Sequence, residues 1–126
     1  MRAGFWAMAY FLKANSRRDF LNNKEKAREI VENRIKYLND FYNFSFNKIS
    51  IKRQKSRWGS CSKKGNLNFN YKIIFLPQKY SDYVLVHELC HLGEFNHSRN
   101  FWELVKKTIP DYKEIKKEFK EIVLWI

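Results

Sequence analysis

All three histidines of the chain lie within eleven consecutive residues, in the stretch VHELCHLGEFNHS. His87 and His91 are four residues apart, and Glu88 directly follows the first of them. On an α-helix, four residues rotate by about 400° and rise by about 6 Å, so the two imidazoles project from one face on adjacent turns. Both rings can therefore bind a single metal ion.

Glu88 is suited to act on a water molecule rather than to bind the ion. It projects about 100° away from His87 around the helix, which keeps it out of a coordination shell shared with both histidines. It can still reach a water molecule bound to the metal, which is what a general base requires. The spacing H-E-x-x-H, with these roles, is that of zinc-dependent proteases.

The third histidine can join the ion only if the helix ends before it. His97 follows His91 by six residues, and on an unbroken helix it would face about 240° away. Gly93 and Asn96 tolerate a left-handed backbone, so we expect the chain to reverse there. Three imidazoles with an open fourth position are typical of catalytic zinc, whose bound water has a pKa of about 7. The sequence predicts one Zn²⁺ ion with Glu88 as its general base.

Two alternatives to a catalytic ion remain open. The motif H-E-x-x-H also occurs by chance, with His87 as a surface residue and Glu88 as a solvated charge. A structural zinc ion generally has four protein ligands, often including cysteine. Cys90 points about 100° away from His91, and we expect it to be buried packing. Cys61 could bind the metal and hold an enzyme latent, although we expect a small buried hydrophobic residue there.

Apolar spacing predicts the elements that come before the histidine segment. A helix capped by Asn23 carries an apolar stripe at helical spacing. Residues 49–53 alternate as a half-buried strand does. We interpret residues 57–70 as a β-hairpin, with Gly65 at a positive φ in its turn. The run YKIIFLP that follows is either a strand or a short helix.

Three helices are predicted in the second half of the chain. The first is capped by Ser81 and runs to Leu92 or Phe95, the second is capped by Ser98, and the third follows Asp111. This order indicates an α+β fold with an N-terminal backing helix, a small antiparallel-edged β-sheet, an active-site helix that carries H-E-x-x-H and two C-terminal helices.

Length and composition place these elements in one domain. The 126 residues are 44% hydrophobic and 17% aromatic, enough for one core. We assign residues 23–126 to this domain and residues 1–22 to a short N-terminal segment that packs on it. That segment also has the length of a signal peptide, but its large aromatic residues and lack of an A-x-A site favour packing. The two cysteines fit a reducing compartment, so we expect a cytoplasmic protein, and without a run of eighteen apolar residues we expect no membrane span. We also expect a monomer.

Several motifs between residues 23 and 120 resemble the YgjP-like metallopeptidase family: RWGSCS, HELCH, and NHS followed by FW. Members of this family are zincins related to the SprT-like proteins, among them the Spartan-type proteases that act on DNA–protein crosslinks. The resemblance implies a zincin-like fold, zinc bound by His87, His91 and His97, and Glu88 as the catalytic base.

The sequence does not identify a second donor for the charge that develops on the carbonyl oxygen. Tyr71, Asn96 and Arg57 are candidates for transition-state or substrate contacts. Each has an ordinary alternative: Tyr71 as a core residue, Asn96 as a turn residue and Arg57 as a solvated charge. Gly59 suggests a close backbone approach or a bulge. We expect Trp58 to pack beneath the active-site helix, and the hairpin to supply an edge strand that pairs with extended substrate.

We therefore predict a zinc-dependent metallopeptidase that cleaves a protein or peptide substrate. The net charge of +12 supports an alternative: a basic, nucleic-acid-associated module with structural or vestigial zinc, or a protease acting on DNA-bound proteins. The lysines are spread along the chain, which is also what an ordinary solvated surface requires.

Overall fold

The computed structural model describes residues 15–125, and the side chains of residues 15–122. The predicted packing of residues 1–14 lies outside this range. Within it, four α-helices, one 3-10 helix and three strands follow one another along the chain. These are α1 (Arg17–Asn39), β1 (Lys48–Lys52), β2 (Gly59–Cys61), β3 (Asn66–Asn70), the 3-10 helix (Tyr71–Phe75), α2 (Gln78–Cys90), α3 (Arg99–Lys106) and α4 (Tyr112–Trp125).

Helix α1 begins seven residues earlier than predicted. Ser16, not Asn23, is its N-cap: the Ser16 hydroxyl accepts a hydrogen bond from the Asp19 backbone N–H at 2.9 Å. The Asn23 side chain instead donates to the Asp19 carbonyl at 2.8 Å, one turn back in the helix. The helix is therefore continuous across residues 22 and 23. Four residues of the predicted apolar stripe are buried: Ala27, Val31, Ile35 and Leu38. The fifth, Ile30, was predicted to belong to the stripe but is exposed.

The sheet is mixed, with strand order β1-β3-β2. Strands β2 and β3 form the predicted antiparallel hairpin, and Gly65 in its turn has φ of 83°. Strand β1 is parallel to β3, with Ile51 opposite Phe69. The expectation of an antiparallel-edged sheet therefore holds at β2 and fails at β1. Alternation predicts that a segment is a strand, but not which neighbour it pairs with, and here β3 inserts between β1 and β2.

The segment after β3 resolves as a short helix rather than a strand. The Asn70 side-chain oxygen accepts from the Lys72 N–H at 3.1 Å and caps the 3-10 turn. The Asn70 amide nitrogen donates to the carbonyls of Gln54 and Arg57, at 2.9 and 3.1 Å. One buried amide therefore ties the end of the sheet to the strand-to-hairpin loop.

Helix α2 is the central element of the domain. It begins at Gln78, directly after Pro77, and not at Ser81, whose hydroxyl donates to the Gln78 carbonyl at 3.1 Å. The proline has a fixed φ and no N–H of its own, and its carbonyl accepts from the N–H groups of Tyr80 and Ser81 at 3.0 and 3.1 Å. Most residues from Tyr83 to Cys90 are buried, because α2 packs against other elements on several sides. No helix within residues 15–125 is long and apolar enough to cross a membrane.

Candidate metal centre

The fold brings the three histidines to one point. The Nε2 atom of His87 lies 3.3 Å from Nε2 of His91 and 3.1 Å from Nε2 of His97. One nitrogen from each of the three rings lies within 4.8 Å of the other two. His87 and His91 are on adjacent turns at the end of α2, as the four-residue spacing predicts.

His97 reaches this point because α2 ends at Cys90 and the chain turns before α3. The helix therefore ends before Leu92 and Phe95, the two ends that the sequence predicts. Neither Gly93 nor Asn96 has a positive φ, so the expected left-handed reversal is wrong. Glycine is required at position 93 for a steric reason, because a Cβ atom there would lie 2.9 Å from the Phe44 ring. The loop closes by close packing rather than by a special backbone angle.

The rings are presented as neutral nitrogen ligands. The His91 Nδ1 atom lies 2.9 Å from the Glu94 carbonyl oxygen, which can only accept, so Nδ1 carries the proton and Nε2 carries a lone pair. Burial lowers the pKa of His87 to about 3, with smaller effects from the charges of His91, His97 and Lys116. Burial also lowers the pKa of His91. Metal ions bind the neutral form of imidazole, so these shifts suit a metal site.

The residues present fit a metal ion. Two ring nitrogens that face each other as lone pairs repel unless a proton or a cation lies between them. The backbone carbonyl of Glu94 fixes the tautomer of His91, as backbone carbonyls commonly do for metal-binding histidines. Three nitrogen ligands without a fourth protein ligand match the donor set of catalytic zinc sites.

Helix α3 packs aromatic rings against the histidine rings. Phe101 is fully buried and stacks on His91 with ring centroids 4.5 Å apart, and its centroid is 5.1 Å from that of His87. Trp102 stacks on His97 at 6.1 Å. Ser98 caps α3 as predicted, accepting from the Phe101 N–H at 3.4 Å. Phe101 and Trp102 were expected from the sequence to anchor this helix to the core, and the burial of Phe101 agrees with that. Their contacts with the histidine rings were not predicted.

Glu88 lies beside the cluster in a nearly closed environment. Its side chain is 9% exposed. Burial raises the pKa of Glu88 to about 7, and the nearby positive charge of Arg57 acts in the opposite direction. The Glu88 charge in turn contributes to raising the pKa of Tyr83 to about 12, after the larger effect of burial. A carboxyl group with a pKa near neutrality can both accept and return a proton.

Gly59 is the closest approach of the sheet to Glu88. A Cβ atom at position 59 would lie 3.0 Å from Cγ of Glu88 and 3.1 Å from the Phe69 ring. The close backbone approach expected from the sequence is therefore present, and it places strand β2 directly against the carboxylate. Trp58, next to it, is half-buried against Phe119 of α4 with ring centroids 5.8 Å apart.

The three further candidates have different surroundings. Tyr71 is fully buried, and its hydroxyl donates to Asp19 of α1 at 3.0 Å, so it has the core role and not a substrate contact. The Asn96 side chain accepts from the Ser98 N–H at 3.3 Å, as a turn residue does. Arg57 is exposed, and its charge acts on Glu88.

Neither cysteine belongs to the metal cluster found among the described residues. Cys90 is buried, as expected. Cys61 is half-buried in β2, and its thiol is 3.6 Å from the Ser62 carbonyl oxygen. Burial raises the pKa of Cys61 to about 11, with a contribution from the Glu88 charge. A thiol in this state is a poor metal ligand, because metals bind the thiolate.

A cavity of about 570 Å³ between α1 and α2 lies apart from the histidines. Arg34 on its wall binds Asp82 with two hydrogen bonds, at 2.9 and 2.8 Å. The two charges satisfy each other, so we assign no chemistry to this cavity.

The α+β fold is that of a metallopeptidase, since solved metallopeptidase structures share it. The metallopeptidase zymogen of Pyrococcus abyssi abylysin is similar at 27% identity and a TM-score of 0.64, over 71% of this chain and 90% of that chain. The zymogen of Methanocaldococcus jannaschii jannalysin is similar at 26% identity and a TM-score of 0.58, over 75% and 94%. No curated protein matches the chain.

The chain belongs to the YgjP-like metallopeptidase family, whose domain model matches residues 13–122. The predicted family and the predicted class of enzyme, a peptidase, are both confirmed. The family also implies a metal ion, and the histidine cluster could bind one.

Proposed function

We propose that the chain hydrolyses peptide bonds at a zinc ion held by His87, His91 and His97, with Glu88 as general base. The observation that carries this proposal is the convergence of three ring nitrogens within 4.8 Å of one another. Glu88 follows the first ligand on α2 and is buried beside the cluster. Zinc is the metal we propose because three imidazoles and no fourth protein ligand are typical of its catalytic sites.

When bound, a zinc ion in such a site polarises the peptide carbonyl and lowers the pKa of water. Glu88 takes a proton from the attacking water molecule and returns it to the leaving amine. Burial of Glu88 serves both steps, because a pKa of about 7 lets the group change protonation state near neutral pH. Of the three candidate second donors, Arg57 is the one whose charge acts on Glu88, and we propose that it stabilises developing negative charge.

Strand β2 is the place where an extended substrate would pair. It lies at the edge of the sheet. The Trp58 carbonyl and the Ser62 N–H both bond to β3, at 3.0 Å each. Backbone groups alternate along a strand, so those of Gly59 and Cys61 face the open edge. A peptide that adds to this edge by β-augmentation runs past Glu88.

Glu88→Gln tests the proposed mechanism. Glutamine keeps the size of the side chain but cannot take the proton, so we expect metal content and fold to remain while cleavage of an unfolded protein falls by about 10²- to 10⁴-fold. Turnover is followed by release of new amino termini, and metal content by elemental analysis.

Glu121→Gln is a matched control, because Glu121 is exposed on α4 and the same change there should leave turnover unaltered. Unchanged cleavage by Glu88→Gln would remove Glu88 from the mechanism. Loss of the bound metal in that variant would instead give Glu88 a structural role.

A further inference from the structure

A cavity of about 490 Å³ opens beside the metal centre, and His87 and Glu88 form part of its wall. The remaining wall comes from β2 and its preceding residue, from the middle of α2 and from α4. A group bound in this cavity is therefore in contact with the proposed base and with one proposed metal ligand.

The interior wall is apolar and largely aromatic. It is formed by Trp58, Tyr83, Val84 and Phe119. The Phe119 ring centroid lies 5.8 Å from that of Trp58 and 6.1 Å from that of Tyr83, in edge-on and tilted arrangements. These contacts hold the α4 side of the wall against the α2 side, so the cavity is a built feature of the fold. Aromatic walls of this kind favour a large apolar side chain.

The mouth of the cavity is positively charged. Lys116 and Lys120 both line it and are exposed. Lys116 and Lys120 are four residues apart on α4 and therefore lie on one face of the helix, and Lys116 also neighbours Phe119 three residues later. The Lys116 ammonium lies 4.4 Å from the ring centroid of Trp102, which holds the charge near the metal centre. Glu88 is the one carboxylate among the described residues that line the cavity.

The proton transfer in the proposed mechanism decides which substrate residue enters. Glu88 returns its proton to the leaving amine, so the residue that bears this amine must lie against Glu88. Glu88 also lines the cavity, so the side chain of that residue is the one positioned to enter it. The next part of the substrate then passes the two lysines at the mouth.

We propose that this cavity makes the enzyme select substrates in which the residue after the hydrolysed bond has a large apolar side chain and is followed by a carboxylate. The apolar side chain fills the aromatic cavity, and the carboxylate pairs with Lys116 and Lys120. An acidic side chain or the C-terminal carboxylate of the substrate can supply this group. The inference rests on the proposed function, because it takes the position of the leaving amine from that mechanism.

The first arm of the test measures kcat/KM for peptides that differ only after the hydrolysed bond. We expect Phe to exceed Ala at the first position by about 10- to 100-fold. We also expect Asp to exceed Lys at the second position. A pair of peptides that end at the Phe, with a free or an amidated C-terminus, shows whether a terminal carboxylate serves as well as an acidic side chain.

The second arm changes the charge at the mouth. Lys116→Glu with Lys120→Glu should reverse the preference for Asp over Lys. Lys113→Glu with Lys117→Glu is the matched control: these lysines are also exposed on α4, four residues apart, and do not line the cavity. Both double variants change the net charge equally, so a reversal confined to the first pair locates the effect at the cavity. Equal effects in both would overturn the role of the two lysines.

The third arm does not depend on turnover. Calorimetry with Glu88→Gln measures the affinity of the same peptides, and Phe119→Ala should reduce the discrimination between Phe and Ala at the first position. Binding preferences without any cleavage by the unaltered enzyme would support the cavity and refute the proposed function. Cleavage that is indifferent to both positions would overturn this inference and leave the proposed function standing.

Discussion

At the scale of residues, the centre consists of neutral nitrogens and one buried carboxyl group. Helix geometry relates the four-residue spacing of His87 and His91 to one face, so the sequence was sufficient to predict that these two rings lie together. The roles of the three histidines and of Glu88 stay predictions. The sequence was not sufficient to reject Tyr71 as a substrate contact. That decision depends on a hydrogen bond to Asp19, 52 residues away in the chain, which no local pattern contains.

Gly59→Ala tests the close approach of β2 to the base. The new methyl group would lie 3.0 Å from Cγ of Glu88 and 3.1 Å from the Phe69 ring, so the carboxylate or the strand must shift. We expect kcat to fall by about 10- to 100-fold because the base is displaced. Overpacking of this kind costs about 1–3 kcal/mol of unfolding free energy. Steady-state kinetics and denaturant unfolding measure the two effects.

Gly65→Ala separates lost stability from lost positioning. Gly65 has φ of 83°, so alanine there is strained, but its neighbours are Phe46 and Asn47 rather than the metal centre. This variant should lose about 1 kcal/mol or more of stability while kcat stays unchanged. If Gly59→Ala also loses stability alone, the strand does not position Glu88.

The pKa of Glu88 predicts a pH-dependent stability difference in the metal-free protein. Burial raises this pKa from 4.5 to about 7, so between these values the folded protein retains a proton that the unfolded chain releases. The stability associated with the protonated form is complete below pH 4.5 and is lost as the pH rises through 7. The Glu88→Gln variant does not have this loss. The unfolding free energy of the variant minus that of the wild type should therefore increase by up to about 3 kcal/mol as the pH rises.

Denaturant unfolding of both proteins in a metal chelator, at several pH values, measures this difference. The lowered pKa of His87 acts in the opposite direction below pH 6.5, but it is common to both proteins and cancels. A difference that does not change with pH would show that Glu88 is not desolvated in the metal-free fold.

At the scale of elements, the loop between α2 and α3 decides whether the third ligand reaches the first two. Residues 91–98 turn the chain through close packing at Gly93 and through the cap at Ser98. The sequence predicted that the helix must end here, and it predicted the Ser98 cap. The predicted helix end was too late, and the turn was wrongly attributed to left-handed backbone. The contact that requires glycine at position 93 is with Phe44, which is far away in the chain and therefore absent from any local pattern.

Ser98→Ala tests the link between this cap and the metal site. Loss of the N-cap costs about 1 kcal/mol. Because the cap lies next to His97, we also expect the metal affinity to fall, by about 3- to 10-fold, which corresponds to about 1 kcal/mol. Ser16→Ala is the matched control, since Ser16 caps α1 in the same way. It should lose similar stability with no change in metal affinity, measured by competition with a chromogenic chelator.

Equal losses of affinity in the two variants would mean that the cap acts only through global stability.

The aromatic cavity is also explained at the scale of elements. Its α4 wall comes from residues 116–120, which follow the H-E-x-x-H motif by 25 to 29 residues. The apolar stripe of α4 was predictable from its spacing, but which helix face meets β2 was not.

At the scale of the whole molecule, element order and composition were sufficient for the α+β class, and the family model and the solved relatives confirm it. The parallel pairing of β1 with β3 was missed because it depends on long-range contacts. Nucleic-acid binding, the monomeric state and the division of the chain at residues 22 and 23 stay predictions. A net charge of +12 is compatible with a nucleic-acid partner and with an ordinary basic surface alike.

The central claim is that three imidazoles converge to hold one transition-metal ion. Equilibrium dialysis of the metal-free protein against zinc, followed by elemental analysis, measures the ions bound per chain. The account predicts one tightly bound ion in the wild type, with binding lost or severely weakened when His91 is replaced by alanine. A wild-type protein that binds no zinc, or an alanine variant that binds it as tightly, would contradict the account.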